Sequence, residues 1–250
     1  MDTQLADLLA QRTRLARQVA LWKLLQGQPI RHPPRELEVR CNYASHLRTA
    51  GWPKPALDHL MDALLSTSRR IQSGIRIAIQ GGRGSWSEES LAQAIPDAQV
   101  LRLSTVAAAW KAVTEGRAAA AWLAASNSTT GDIALTQGPR SEGTVWLERA
   151  HPIQHALLAR PGARLDGLRR VAGHPQALAQ CARTLKQLAP RARPVPSVDG
   201  AHTARRLAGM ETGVLCSANL APRLGLKVLA PSVVDDSANE TTFQLLVAPV

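Results

Sequence analysis

The chain has 250 residues, enough for one large domain or two smaller ones, and 45% of them are hydrophobic, so a substantial core can be buried. Its formal net charge of +11 at pH 7 favours anionic partners: carboxylates, phosphates, acidic lipids or nucleic acid. Because the basic residues are scattered and only one Tyr and one Phe accompany six Trp, few side chains can stack on bases, and nucleic acid is disfavoured as a partner.

Cysteine usage and the N-terminal residues predict where the protein works. Cys41, Cys181 and Cys216 are odd in number, far apart and without metal-ligand spacing, which is typical of reduced thiols in the cytoplasm. No apolar stretch follows a basic start, so no signal peptide is predicted, and the longest apolar run, residues 118–125, is too short to span a membrane. We therefore predict a soluble cytoplasmic protein that needs no metal or other cofactor and does not contact membranes.

A stripe of residues three or four apart runs through residues 2–28 and predicts an α-helix. Arg12 and Lys23 stand in this stripe where a core-facing helix would carry apolar residues, so each is either paired or placed to bind an anion. About three turns, roughly 16 Å, separate them, and their long side chains can bracket a small dianion. The alternative is that both reach solvent or pair with a carboxylate across a helix interface. The other members of the stripe are Leu5, Leu8, Leu15 and Val19.

Two further helices are predicted, at residues 34–48 and 55–72. Pro33 and Pro34 prepare the start of the first, and Gly51-Trp52-Pro53 ends it. The second carries an apolar stripe that continues into two polar residues, Ser68 and Gln72. With Arg35 and Glu36 opening the preceding helix, all three helices offer polar groups on or near their buried faces. About seventy residues make only a thin core, so we predict that the helices pair with a second copy.

These three segments together resemble the all-helical chorismate mutases, whose intertwined dimers bind chorismate among three helices. The resemblance runs without a gap over residues 2–72. It implies that Arg12 binds a substrate carboxylate and that Lys23 contacts the ether oxygen. The remaining site residues that it implies are Arg35 and Glu36, beside the substrate hydroxyl, and Ser68 and Gln72, which complete the pocket.

The residue types implied by this resemblance suit a Claisen rearrangement, which needs neither a nucleophile nor a proton shuttle. The reaction needs a flexible dianion held in one conformer and donors where the breaking C–O bond gathers negative charge. Lys23 and Gln72 are the natural pair on the ether oxygen. Two features depart from the family: His32 stands where an acidic residue is common, and a further carboxylate-binding Arg would lie upstream of Met1. By this resemblance Met1 reads like the middle of the family's first helix, and the sequence leaves open whether the natural chain begins further upstream.

From residue 75 the periodicity changes. A strand at 76–79, a glycine-rich turn at 81–87 and a helix from about Glu88 form a cradle for an anion. The turn has neither a P-loop lysine nor the full dinucleotide spacing, so a nucleotide is the less favoured ligand. Strands that alternate with helices predict an α/β domain with largely parallel sheets and a ligand crevice at their carboxyl ends. The further strands are predicted at 100–103, 119–123, 144–148, 154–158, 170–172, 214–216, 228–230 and 243–247.

Residues 75–247 resemble the prephenate dehydratases in several short motifs. The most specific is residues 173–181, which read G-H-P-Q-A-L-A-Q-C against the family's S-H-P-Q-A-L-x-Q-C. Residues 81–87 resemble G-P-x-G-T-[FY]-S, residues 126–128 stand for E-N-S, and residues 240–243 contain the counterpart of T-R-F. By this resemblance Thr241 helps the ring hydroxyl of prephenate to leave, and the substrate is bound by Gly84, Ser85, Asn127, Ser128, His174 and Gln176.

A chorismate mutase fused to a prephenate dehydratase is a known arrangement, so the two resemblances support each other. They imply an all-α three-helix mutase domain in an intertwined dimer, residues 1–73, followed by an α/β dehydratase-like domain, residues 74–250. The second domain would have two lobes like a periplasmic binding protein, with prephenate in the cleft between them. Lobe A would comprise about 75–153 and 231–250, and lobe B about 154–230.

Two substitutions in the dehydratase motifs fall at sensitive places. Thr242 replaces the arginine of T-R-F, which removes a cation from a site for a dianion, and Ser126 replaces the glutamate of E-N-S. Arg83, in the variable position of the glycine-rich turn, could restore some positive charge. Because the sequence ends just after the T-R-F-like strand, we expect neither the family's ACT domain nor phenylalanine feedback through it.

The sequence thus predicts an enzyme of phenylalanine biosynthesis that has chorismate mutase (isomerase) activity and a diverged prephenate dehydratase (lyase) domain. Its small-molecule ligands would be chorismate and prephenate, and its protein partner a second copy of the chain. One alternative is a cleft that performs another prephenate reaction, such as decarboxylation without loss of the hydroxyl. The other is a catalytically silent second domain that regulates or steadies the mutase dimer.

Overall fold

The computed structural model describes residues 1–133 and 136–249, and its first part consists of helices. These are α1 (Asp2–Leu25), α2 (Pro33–Thr49) and α3 (Lys54–Ser73). Gln26 caps α1 and is followed by Gly27, whose φ of +61° suits a residue without a Cβ. The three predicted helices are therefore present, with bounds within a few residues of those expected. Among the described residues, no helix combines the length and the apolar character needed to cross a bilayer.

The face of α1 that is buried differs from the predicted stripe. α1 packs along α3, and its buried residues are Ala16, Ala20 and Leu21. The stripe of α1 instead leaves a broad apolar surface that the single chain does not cover. Its exposed apolar members are Leu5, Leu8, Leu15 and Val19.

The second part of the chain folds into two sheets, each of which defines a lobe. Lobe A contains β1 (Ile77–Gln80), α4 (Trp86–Ala94), β2 (Val100–Leu103), α5 (Val106–Thr114), β3 (Ala120–Asn127), β4 (Gly131–Asp132), α6 (Gln137–Glu142) and β5 (Thr144–Pro152). Lobe B contains β6 (Ala156–Ala159), β7 (Arg170–Gly173), α7 (Pro175–Gln180), α8 (Ala182–Leu188), β8 (Arg193–Pro196), α9 (Gly200–Arg205), β9 (Thr212–Cys216), α10 (Leu220–Leu224) and β10 (Lys227–Ala230). The last strand, β11 (Glu240–Val247), returns to lobe A.

Both sheets are mixed, so the predicted α/β class with two lobes is confirmed but the prediction of largely parallel sheets was wrong. The strand orders are β2-β1-β3-β11-β5, with β4 paired to β3, and β10-β6-β9-β7-β8. β1 is parallel to β2 and β3, and β7 is parallel to β8 and β9. β11 is antiparallel to β3 and β5, and β6 is antiparallel to β9 and β10. The reason is that β6 and β11 enter their sheets from the other lobe and run against their neighbours.

Two observed strands escaped prediction. β8 reads R-P-V-P, and a proline cannot donate to a strand ladder, so its sequence argued against a strand. β8 is the outermost strand of its sheet, where prolines are tolerated because one edge has no partner strand. β4 has only two residues, too few for a periodic pattern.

The helical part and lobe A share one hydrophobic core. Leu21 of α1 is fully buried and packs with Trp122 and Phe243 of the lobe A sheet. These two rings stack on each other with their centroids 5.9 Å apart. At the edge of the same contact, Gln18 Nε2 donates to the carbonyl of Ala248 at 3.3 Å. α1 therefore packs on α3 and also reaches into the core of lobe A, which fixes the helices against that lobe.

Candidate active sites

The first candidate site lies between α1 and α3. Arg12, which is half-buried, donates from Nη1 to the Ser68 hydroxyl at 2.5 Å and to the Leu64 carbonyl at 3.4 Å. Ser68 is buried, and its own hydroxyl donates to the Leu64 carbonyl at 2.8 Å. The structure thus brings together two residues that the sequence places 56 positions apart.

One turn of α3 further along, a second predicted pair meets. Lys23 Nζ lies 3.5 Å from Gln72 Oε1, and it also donates to the carbonyl of Ile30 at 2.5 Å. Both side chains are half-buried, so neither is fully hydrated. An ammonium and an amide held side by side in this way can both donate to one oxygen of a ligand.

The other predicted pair, Arg35 and Glu36, separates in the structure. Arg35 is exposed and forms an ion pair with Glu38 at 2.6 Å, whereas Glu36 accepts a hydrogen bond from Arg69 Nη1 at 2.9 Å. Arg69 was not predicted as a site residue. A signal for it existed, because it follows the buried Leu65 by one turn of α3 and so lies near the packed face.

His32, which stands where the family often has an acidic residue, caps α2. Its Nδ1 accepts a hydrogen bond from the backbone N–H of Arg35 at 3.2 Å.

The charges in the helical site favour an anionic ligand, because Glu36 is already neutralised by Arg69, while Arg12 and Lys23 contact neutral oxygens. The facing helices thus hold two cations whose charge is not balanced by the hydrogen-bond partners described.

The second candidate site lies between the lobes and begins with the glycine-rich turn after β1. Gly84 has a φ of +73°, and a Cβ there would lie 2.1 Å from Cδ2 of Leu220 in lobe B, so only glycine fits. Its N–H donates to Glu88 Oε2 at 2.5 Å, and the Ser85 hydroxyl accepts from the Glu88 N–H at 3.4 Å. The Gly84 N–H is therefore engaged at the start of α4, whereas the Ser85 hydroxyl caps this helix as an acceptor and can still donate to a ligand in the cleft that it lines.

Glu88 ties this turn to the next strand. It accepts hydrogen bonds from Arg102, including one from Nε at 3.0 Å. Burial alone would raise the pKa of Glu88, but the hydrogen bonds from Arg102 and from the Gly84 amide lower it below its usual value. The carboxylate therefore stays ionised and paired, and its partner Arg102 lines the cleft.

Thr241 and Asn127 form the centre of the cleft on the lobe A side. They face each other in register on β11 and β3, and both are buried. Asn127 Nδ2 donates to Thr241 Oγ1 at 3.0 Å, to Asn239 Oδ1 at 2.9 Å and to the Glu240 carbonyl at 2.9 Å. Because Thr241 accepts the amide hydrogen bond, its own hydroxyl hydrogen is free to point at a ligand.

Gln180, the last polar residue of the H-P-Q-A-L-A-Q-C motif, links the lobes at this point. Its Nε2 donates to Thr129 Oγ1 at 2.7 Å and lies 3.2 Å from Asn127 Oδ1 and 3.3 Å from Asn239 Oδ1. Neither Gln180 nor Asn239 was predicted as a site residue. The motif itself contained the signal for Gln180, whereas Asn239 has none in the sequence.

The remaining predicted binding residues have mainly structural partners. Ser128 is exposed, donates to the Ala238 carbonyl at 2.9 Å and accepts from the Glu240 N–H at 2.9 Å. Gln176 donates to Thr130 Oγ1 at 3.0 Å, across the lobes. His174 caps α7, accepting from the Gln176 N–H at 3.3 Å, and its exposed ring lines the cleft.

Between the lobes a small cavity of about 190 Å³ adjoins a larger cleft of about 790 Å³. Thr241, Asn127 and Phe243 line the small cavity on the lobe A side. The two spaces have lining residues in common, so they form one continuous site. The shared residues are Trp86, Ser87, His155, His174 and Ala177.

The two substitutions in the dehydratase motifs face each other. Thr242 of β11 pairs in register with Ser126 of β3, and with Ala150 of β5 on its other side. Cross-strand partners have Cβ atoms about 4.5–5.5 Å apart, so an arginine and a glutamate at these positions would form an ion pair with each other. The register therefore gives a different account from the expected loss of a substrate-binding cation: the two substitutions fall on cross-strand partners, where an arginine and a glutamate would offset each other's charge.

Comparisons with known proteins match both parts of the chain to enzyme families. Residues 77–249 match the prephenate dehydratase family, and residues 1–73 match the chorismate mutase type II family. An arogenate dehydratase 1 from Petunia hybrida is 34% identical over 204 residues, which cover 76% of this chain and 47% of that protein. The chain thus spans about half the length of the curated relatives it matches.

Two solved structures share the fold. A prephenate dehydratase from Arthrobacter aurescens in complex with L-Phe has 28% identity and a TM-score of 0.64, covering 70% of this chain and 61% of that one. A quorum-quenching acylase, GqqA, has 32% identity and a TM-score of 0.60, covering 70% of this chain and 64% of that one.

Proposed function

Because the chain belongs to the prephenate dehydratase family and carries a chorismate mutase type II segment, we propose that it is a bifunctional enzyme of phenylalanine biosynthesis. The helical site rearranges chorismate to prephenate, and the cleft between the lobes converts prephenate to phenylpyruvate. The observation that carries the proposal is that each site holds a matched donor pair: Lys23 with Gln72, and Thr241 with Asn127. The reactions are assigned to the cytoplasm, in keeping with free thiols at Cys41, Cys181 and Cys216.

In the helical site the protein acts by orientation and charge alone. Arg12 holds a carboxylate, while Lys23 and Gln72 donate to the ether oxygen as the C–O bond breaks. The charge that gathers on this oxygen is larger in the transition state than in the substrate, so these donors stabilise the transition state more. Arg69 pairs with Glu36, so Arg12 and Lys23 carry the positive charge that is left for a dianion.

In the cleft the reaction needs a hydrogen-bond donor for the departing ring hydroxyl and apolar walls against the ring. Thr241 supplies a hydroxyl whose hydrogen is free because its oxygen accepts from Asn127. Phe243 and Trp86 form apolar walls against which a cyclohexadiene ring can lie. Loss of water and carbon dioxide from prephenate then produces an aromatic ring.

The experiment that tests the proposal supplies the purified protein with chorismate, then prephenate, then arogenate, at neutral pH. Products are separated by chromatography and compared with a blank without enzyme. Phenylpyruvate from both chorismate and prephenate supports the bifunctional enzyme. Prephenate as the end product would favour a silent second domain, and a decarboxylated product that keeps the hydroxyl would favour the other cleft reaction. Formation of phenylalanine from arogenate would show that this cleft accepts arogenate, the substrate named for the petunia relative. A chain that leaves chorismate unchanged would contradict the proposal.

We further propose that the protein is a homodimer through α1. The stripe leaves Leu5, Leu8, Leu15 and Val19 exposed along one helix, and a second α1 has the matching pattern. Changing Leu8 and Leu15 together to Asp is expected to convert the dimer to a monomer, as judged by size-exclusion chromatography with light scattering. Met210→Asp, at a residue that is 60% exposed on lobe B, is the control and should stay dimeric. A wild-type protein that is monomeric at micromolar concentration would contradict this assignment.

The pairing of Thr242 with Ser126 leads to a prediction about the two motif substitutions. Thr242→Arg alone places an unpaired cation on a half-buried strand, so it should destabilise the fold and should not raise the rate of prephenate turnover. Adding Ser126→Glu should recover stability, with a coupling free energy of about 0.2–1 kcal/mol. Urea unfolding of the wild type, both single variants and the double variant measures this coupling. A rate increase from Thr242→Arg alone would show instead that position 242 reaches the substrate.

A further inference from the structure

His155 is a buried side chain in the cleft that neither sequence motif includes. It lies between β5 and β6, where the chain crosses from lobe A to lobe B, and its carbonyl accepts from the Val233 N–H of the return crossing at 2.8 Å. Its side chain is 6% exposed, its Nδ1 has no hydrogen-bond partner, and it lines both the small cavity and the larger cleft. The edge of its ring meets Trp86, with the centroids 5.6 Å apart. A buried, unpartnered nitrogen at a cavity wall is costly unless a ligand satisfies it.

We propose that His155 is the proton donor to the departing hydroxyl, acting together with Thr241 on the opposite wall of the small cavity. This inference rests on the proposed dehydratase activity of the cleft. Thr241 alone is a weak acid, so it can orient the hydroxyl by a hydrogen bond but is poorly suited to supply the proton. An imidazolium is the side chain best matched to that task near neutral pH.

The charges around His155 determine when it carries a proton. Burial, which is only partly offset by a hydrogen bond with Gln180, and the neighbouring His174 together lower the pKa of His155 to about 4. A dianionic substrate in the same cavity raises this pKa, because an opposite charge within a few ångströms favours the imidazolium. Substrate binding is therefore coupled to the uptake of one proton. The charged and titratable groups facing this region are His151, His174, the Arg102–Glu88 ion pair, Glu89, Asp199, His202 and Cys216.

The step balances without a further reactant. The imidazolium of His155 gives its proton to the oxygen of the ring hydroxyl, the C–O bond breaks with its electron pair going to oxygen, and water leaves. The bond between the ring and its carboxylate breaks, its electron pair enters the ring to complete the aromatic system, and carbon dioxide leaves. His155 is then neutral and takes its next proton from solvent.

The other histidines of the region are less suited to this role. His174 is exposed, and its Nδ1 caps α7 by accepting from the Gln176 N–H. His151 is buried, touches Trp86 and likewise has an unpartnered ring nitrogen, Nε2, but its Nδ1 contacts Gln93 Oε1 at 3.1 Å and it lines neither the small cavity nor the larger cleft. His151 is therefore a matched control: a buried histidine four positions away on the same tryptophan.

The first test is the pH profile of prephenate turnover. For the wild type, kcat/KM is expected to rise about tenfold for each pH unit of acidification between pH 8 and 5.5, after subtraction of the blank without enzyme, because only the protonated histidine is productive. His155→Gln and His155→Asn should flatten this profile and lower the rate at pH 6 by about 10²-fold. The His151→Gln variant should keep the wild-type dependence of kcat/KM on pH, whatever the absolute value of its kcat/KM. A slope that persists in both His155 variants would overturn the inference.

The second test does not need turnover. Two proteins are compared by calorimetric titration with prephenate in buffers of different ionisation enthalpy at pH 7: Thr241→Val, and Thr241→Val with His155→Gln. Both also carry Lys23→Ala and Gln72→Ala, so that the helical site contributes little heat. The first should take up close to one proton on binding and the second none. Equal proton uptake by the two proteins would overturn only the role of His155. If neither protein bound prephenate, both the proposed dehydratase function and this inference would be overturned.

Discussion

Replacing Lys23 by alanine is expected to lower kcat for the conversion of chorismate to prephenate by about 10²–10³-fold, and Gln72→Ala should have an effect of similar size. Lys23 Nζ and Gln72 Oε1 lie 3.5 Å apart, each on a different helix, so a ligand oxygen at this point meets donors from both sides. Neither residue belongs to the buried core of the helices, which Leu57, Met61 and Leu65 provide. The loss should therefore appear in catalysis and leave the fold intact.

The measurement is the initial rate of chorismate consumption, with circular dichroism and light scattering to show that each variant stays folded and keeps its oligomeric state. Lys54→Ala is the matched control, since this lysine is exposed at the start of α3 and should leave the rate unchanged. If both variants turned over chorismate at nearly the wild-type rate, the mutase pocket would have to be sought elsewhere. A rise in KM with kcat unchanged would show that the pair binds the substrate and the transition state equally.

The sequence was most informative where local patterns decide the structure. The three helices, their proline and glycine boundaries and most strands followed from periodicity and turn residues. Strand direction did not, because whether β6 and β11 run parallel to their neighbours depends on how the chain crosses between the lobes. β8 was missed for a related reason: its prolines are acceptable only because the folded sheet places the strand at an edge.

At the sites, motifs located residues but not their hydrogen-bond partners. Gly84 and Ser128 stand where the resemblance places binding groups, yet the Gly84 N–H already donates to Glu88 and the Ser128 hydroxyl to the Ala238 carbonyl. Arg35 and Glu36, adjacent in the sequence, point to different partners because neighbouring helical residues are about 100° apart around the axis. The hydrogen-bond partner of each side chain is therefore determined by the fold and not by the motif.

Single residues without a motif were missed altogether. His155 belongs to no recognised pattern, and an isolated histidine is usually an ordinary core or surface residue. It is distinguished by the combination of a buried, unpartnered ring nitrogen with a place on the cavity wall, which the equally buried His151 lacks. The pairing of Thr242 with Ser126 was equally invisible, since the two positions are far apart in the sequence and meet only through the register of β11 with β3.

Thr241→Val is expected to abolish most turnover of prephenate, by about 10²–10⁴-fold, while chorismate rearrangement continues at the wild-type rate. Valine keeps the β-branched shape that suits a strand and removes only the hydroxyl. Asn127 Nδ2 retains two acceptors, Asn239 Oδ1 at 2.9 Å and the Glu240 carbonyl at 2.9 Å, so no buried donor is left unsatisfied. The variant should therefore unfold at nearly the wild-type urea concentration.

The contrast between the two reactions in one protein makes this change diagnostic. Phenylpyruvate formed from prephenate measures the cleft, and prephenate formed from chorismate by the same sample measures the helices. Thr241→Ser restores a hydroxyl on a smaller side chain and should recover much of the rate, which a purely structural role for Thr241 would not require. If Thr241→Val produced phenylpyruvate as fast as the wild type, the hydroxyl on β11 would have no part in the departure of water. A proportional loss of both activities would instead mean that the core shared by α1 and lobe A had been disturbed, since Leu21 and Phe243 belong to it together.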